Sequence, residues 1–181
     1  MYLKRGQWKI FVINLIYLAL SIYIFVGRKN YEFIMYVGVV IFFLLIILFT
    51  NKKINYPNSV LWGLTLWGAM HMAGGGILLN NGEMRLYERM IFTLSETYNI
   101  FRYDQFVHII GFFVATLLMF HLLKPNLKNK VGWTSLGIVV VMAGLGVGAL
   151  NEIIEFIATV VVPETGVVGF INTSLDLVAD L

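Results

Sequence analysis

The chain has 181 residues, of which 59% are hydrophobic and 13% charged, with a mean hydropathy of +0.82. Soluble domains carry about 25% charged residues, so this is the composition of a single integral membrane domain, 1–181. Lys and Arg number 13 against 10 Asp and Glu, a formal net charge of +3. No basic run is interleaved with aromatics, which excludes nucleic acid as a partner, and the lack of cysteine excludes disulfides, thiolate metal ligands and cysteine nucleophiles.

In chain order, the first apolar stretch covers about 8–26, beside Lys4, Arg5 and Lys9. Where a signal peptide would show a small-residue cleavage site, the sequence reads Gly27-Arg28-Lys29-Asn30, so the stretch is a transmembrane helix. A second span is expected over 31–50, and a polar connector with Lys52, Lys53 and Pro57 leads to a third over 59–79. The third carries Trp62, Trp67, His71 and Gly74-Gly75-Gly76. About 20 apolar residues cross a bilayer core of roughly 30 Å, so each stretch is long enough.

In the polar region that follows, Met84, Tyr87, Ile91, Leu94 and Tyr98 recur at helical spacing, with Arg85, Glu88, Arg89 and Glu96 mostly off that stripe. This pattern predicts an amphipathic surface helix over 84–98. A fourth span is expected over 103–123, ended by Lys124-Pro125, and a fifth over 133–162, ended by Pro163. The fifth exceeds one bilayer thickness, which predicts a tilt, a kink at its glycines or an end beyond the lipid. From Asn172 a further helix begins and stops, a partial sixth span. The fold class expected is therefore an all-α polytopic bundle of five complete spans plus a partial sixth.

Orientation follows from the basic residues. With the N-terminus cytoplasmic, Lys4, Arg5, Lys9, Lys52, Lys53, Lys124, Lys128 and Lys130 all lie inside, with no acid among them. The outer side then holds Arg28, Lys29, Arg85, Arg89 and Arg102. The expectation is a multi-pass protein of the inner or plasma membrane.

That topology gives depths to the polar residues inside the spans. His71 lies roughly 12 Å below the outer end of the third span, His108 roughly 6 Å deeper than Asp104, and Glu155 and Glu152 roughly 10 and 15 Å from Val162. Asp176 and Asp180 fall on the same side. An ionisable residue at membrane depth costs roughly 2.5–3.5 kcal/mol, so such groups need partners. Gly144, Gly148, Glu152 and Glu155 share one helix face, as do Asp104, His108, Gly111 and Ala115, and Gly68, His71 and Gly75. Small residues at this spacing mark faces where transmembrane helices approach closely, which turns each polar group toward the bundle interior.

Carboxylates and imidazoles so gathered suit zinc, manganese or iron. The metal-ligand set is His71, Asp104, His108, Glu152, Glu155 and Asp176. Glu152, Glu155, His108 and Asp104 are the catalytic candidates, with Asp180 and Arg102 in support. A metal there activates water for hydrolysis or transfer on a lipid-linked or envelope substrate. Two other readings use the same residues: a proton- or ion-coupled transporter, and a purely structural hydrogen-bond network. His121, alone beside Lys124, reads as structural or interfacial. Gly74-Gly75-Gly76 lacks the strand and Gly-Lys-Ser/Thr of a phosphate loop and reads as close packing. The sequence does not specify a substrate or an oligomeric state.

The ordered set His71-x-x-Gly74-Gly75, Tyr103-Asp104-x-x-x-His108-x-x-Gly111-Phe112, Asn151-Glu152-x-x-Glu155-Phe156 and Asn172-x-x-x-Asp176 resembles the YjdF-like family of predicted inner-membrane proteins. Leu175-Asp176-Leu177-Val178-Ala179 more distantly resembles VanZ-like proteins. The resemblance covers about 68–181 and implies a polytopic bacterial or archaeal membrane protein. In that family the last helix continues into a full span with a glycine after the aspartate motif, so the resemblance implies a chain cut short at Asp180-Leu181.

Overall fold

The computed structural model describes residues 3–95, 97–127, 131–162, 165 and 169–181. Glu96, Lys128, Lys130 and Pro163, used above, lie outside the described residues. Among the described residues six α-helices are present: α1 Gln7–Gly27, α2 Tyr31–Ile54, α3 Asn58–Gly76, α4 Tyr103–Leu123, α5 Trp133–Val161 and α6 Gly169–Ala179. Four of them, α1, α2, α4 and α5, are long and apolar enough to cross a membrane. Helix α3, with His71 and its glycines, falls outside that group, and α6 has 11 residues.

The bundle is apolar outside as well as inside. Tyr23, Phe49, Phe113 and Phe156 are exposed, which suits contact with lipid rather than water. Helix α4 packs against α3, α5 and α6, while α3 packs on α1 and α1 on α2. Missing side chains allow two of these approaches. A Cβ on Gly111 would run into the Trp67 indole, and one on Gly144 into Thr116. Buried Leu18, Phe25, Phe33, Tyr36, Val37, Met72 and Ala158 form the larger apolar cluster. Polar contacts fix the register of α1. Asn14 Nδ2 donates to Thr65 Oγ1 at 2.7 Å, and Asn51 Nδ2 to Gln7 Oε1 at 2.8 Å.

The polar segment between α3 and α4 corrects the expected surface helix over 84–98. It folds as two antiparallel hairpins, β1 Leu78–Leu79 with β2 Met84–Arg85, and β3 Met90–Ser95 with β4 Ile100–Arg102. The 3–4 spacing of the apolar stripe arose by coincidence, and turn chemistry decided the outcome. Asn80, Asn81 and Gly82 all take positive φ, as does Asn99, conformations that a helix interior does not allow and that Asn and Gly adopt most readily. The run Ile91-Phe92-Thr93-Leu94 favours strand. This segment marks one end of the bundle, called here the hairpin end. Arg28 Nη1 donates to the Gly76 carbonyl at 2.6 Å, tying the end of α1 to the end of α3 there.

Candidate functional site

Helix α4 starts at the hairpin end, where the Arg102 backbone N–H donates to Gln105 Oε1 at 2.7 Å. This cap orients Gln105 so that its Nε2 donates to Asp176 Oδ1 at 3.0 Å. One turn into α4, His108 is buried between α4, α5 and α6. Its Nδ1 lies 2.8 Å from Asp180 Oδ1 and 3.9 Å from Glu152 Oε1, and its Nε2 lies 3.8 Å from Asp104 Oδ1. The imidazole therefore has carboxylates on both sides. On one side stand Asp104 and Asp176, on the other Glu152 and Asp180, and each pair forms with His108 a set of groups close enough to share a metal ion.

The two sides differ in how their oxygens are satisfied. Asp176 accepts from Gln105, and Asn172 Nδ2 donates to both Asp176 Oδ2 and, at 3.3 Å, Asp104 Oδ2. Opposite, both Glu152 oxygens and Asp180 Oδ2 are buried without a hydrogen-bond partner among the described residues. Buried polar atoms are nearly always paired, so three orphan oxygens on the two carboxylates beside His108 require explanation. Gly148, one turn before Glu152, makes room for them. A Cβ there would come within 2.6 Å of Asp180 Cγ.

His71 and Glu155 are not in either group. They line a neighbouring polar cavity of about 40 Å³ with Tyr36, Tyr87, Asp104 and Asn172. The His71 imidazole bonds through Nδ1 to the Tyr87 hydroxyl, and Asn151 Nδ2 donates to Glu155 Oε1 at 3.0 Å. Burial, with Asp104 and Glu155 nearby, pushes the Tyr87 phenol well above its ordinary pKa, so it remains protonated. The cavity wall also contains Arg85, whose Nη1 donates to Glu32 Oε2 at 2.8 Å. Of the sequence candidates, then, Asp104, His108, Glu152, Asp176 and Asp180 meet, His71 and Glu155 sit one cavity away, and Arg102 caps α4.

Sequence reasoning missed Gln105, Tyr36, Tyr87 and the Glu32–Arg85 pair. Glu32 had a signal, an acid in the first turn of an otherwise apolar helix. The tyrosines had none, because an aromatic near a span end reads first as an interfacial anchor.

A set of one imidazole and several carboxylates can hold a divalent cation through nitrogen and oxygen. It can also hold protons. Comparison with known proteins gives a family and no more: the family model described as "Predicted membrane protein (DUF2238)" matches residues 9–181. No curated protein and no solved structure matches the chain.

Proposed function

We propose that this chain, which belongs to the DUF2238 family of predicted membrane proteins, binds one divalent cation between His108 Nδ1, Glu152 and Asp180. The orphan oxygens of Glu152 and Asp180 carry this reading. Glu152, with both oxygens unpartnered, and Asp180, held only through Oδ1 by His108, are costly side by side as buried anions, and a cation offsets both at once. His108 would then ligate through Nδ1, leaving its Nε2 3.8 Å from Asp104 on the opposite side of the ring. Asp176, held by Gln105 and Asn172, keeps that second wall in place. Zinc, manganese or iron suits the donor set. Such an ion supplies Lewis acidity to a water or to a phosphoryl or carbonyl oxygen, which supports hydrolysis or transfer on a lipid-linked or envelope substrate.

The same reading places the centre in the outer half of the inner or plasma membrane, with the N-terminus cytoplasmic. The basic residues near the end opposite the hairpins support this orientation. Helix α3 counts as a fifth span. It packs against α1 and α4, so His71 and its glycines meet protein rather than lipid, and low hydropathy does not bar it from crossing. Helix α6 is the partial sixth.

Metal analysis of the purified protein tests the centre. We expect about one equivalent in the native chain and its loss in Glu152→Gln and His108→Ala. A native protein without stoichiometric metal overturns the reading. A proton- or ion-coupled transporter is the second reading, favoured by the polar cavity that brings Glu155 and Asp104 to the hairpin end. It requires that Glu155→Gln abolish pH-dependent uptake in proteoliposomes.

A further inference from the structure

Two openings flank the centre, and their sizes differ greatly. The polar cavity, about 40 Å³, has room for roughly three waters. On the other side, between α5 and α6, lies a groove of about 590 Å³, within the range of small-molecule sites. Ala149, Ile153, Phe156, Phe170 and Leu177 supply its apolar walls. Among the described residues its only charged lining residue is Glu152, which is 7% exposed where Phe156 and Phe170 are 66% and 85% exposed. The groove therefore runs from the apolar outer surface of the bundle inward to the Glu152 side chain, with the carboxylate oxygens buried behind it.

We infer that this groove holds the hydrocarbon chain of a phosphate-headed lipid, with the phosphate reaching the cation beside Glu152. The inference rests on the cation reading given above. The body of a substrate fits only the groove, so it approaches from the side of the bundle rather than through the water-sized cavity. The walls match hydrocarbon. Among the described residues they offer no lysine or arginine to an anion, so the charge that complements a phosphate there is the bound ion.

The test uses full-length protein in phosphatidylcholine nanodiscs, with two photoactivatable probes of identical diazirine-bearing tail. One is a long-chain alkyl phosphate and the other the corresponding alcohol. We expect the phosphate probe to label Phe156, Phe170 and their neighbours above the exposed surface at Tyr23, Phe49 and Phe113. Chelation should remove its advantage over the alcohol, a loss of about tenfold for one charge-assisted contact. Thr173→Trp and Ala149→Phe fill the groove and should suppress labelling with metal content unchanged. Val160→Trp, on the exposed surface beyond the lining, should not.

Labelling in proportion to exposure on every lipid-facing surface overturns the inference, as does equal labelling by alcohol and phosphate. Selective groove labelling in a protein without metal overturns the cation reading and leaves the groove with its lipid. Bound metal with uniform labelling does the reverse.

Discussion

Gly148→Ala is the smallest change that reaches the centre without altering any of its polar groups. A Cβ at this position would meet the Asp180 carboxylate, coming within 2.6 Å of its Cγ and 2.8 Å of its Cβ. The neighbour cannot yield by a rotamer change alone, because Asp180 Cβ is fixed by the backbone at the end of α6. Either Asp180 leaves its 2.8 Å contact with His108 or α6 moves away from α5. Overpacking of this kind costs about 1–3 kcal/mol, while replacing a helical glycine by alanine returns roughly 0.5–1 kcal/mol. The net is a destabilisation of up to about 2.5 kcal/mol, combined with weaker metal binding. Gly146→Ala is the internal control. Nothing lies within 4 Å of a Cβ there, so only the helix-propensity gain remains and the variant should be slightly stabilised. Thermal melts in detergent and metal analysis of both variants give the comparison. Equal melting temperatures and equal metal content in the two would refute the placement of Asp180 against α5.

Gln105→Leu removes the donor to Asp176 Oδ1 and leaves a wholly buried carboxylate short of one hydrogen bond. Stability should fall by about 1–3 kcal/mol in thermal melts, with metal still bound. Tyr87→Phe takes the hydroxyl from His71 in the neighbouring cavity; we expect a loss of about 1 kcal/mol and unchanged metal content, which checks that His71 stands outside the centre. Chelation should lower the melting temperature of the native protein and leave Glu152→Gln unaffected. Restoring the metal at about 100 times its dissociation constant should recover about 2.7 kcal/mol.

How much of this was legible beforehand differs by element. The helices announce themselves through uninterrupted apolar length, since a single stretch of that length satisfies its own backbone in lipid only as a helix. The hairpins did not, because a 3–4 apolar spacing is cheap to obtain by chance over 15 residues and outweighed the Asn80-Asn81-Gly82 turn in a reading by periodicity. Within the site, glycines on the same face as Asp104, His108 and Glu152 correctly marked close approach, but a small residue does not say which helix approaches. His71 shows this. Its companions Gly68 and Gly75 pack against Tyr17 of α1 and Phe33 of α2, while His71 itself lines the cavity it shares with Asp104 and Glu155. Depth along the membrane can be counted from sequence. Rotation about the bundle axis cannot.

The split of the centre across α4, α5 and α6 also sets an order of assembly. A ribosome delivers His108 and Glu152 before Asp176 and Asp180, and at roughly 5–20 residues per second the interval between Glu152 and Asp176 is about 1–5 s. During that time the centre consists of His108 and the α4 and α5 acids, with neither the Asp180 partner of His108 nor the Asn172 bridge to Asp104 yet made. The arrival of α6 then adds two more carboxylates to a site that already holds Asp104 and Glu152, raising rather than settling the local negative charge. On the cation reading, the nascent centre has its greatest need of a counter-ion when α6 docks, so supply of the proposed cation during synthesis would govern how much of the chain reaches its mature form.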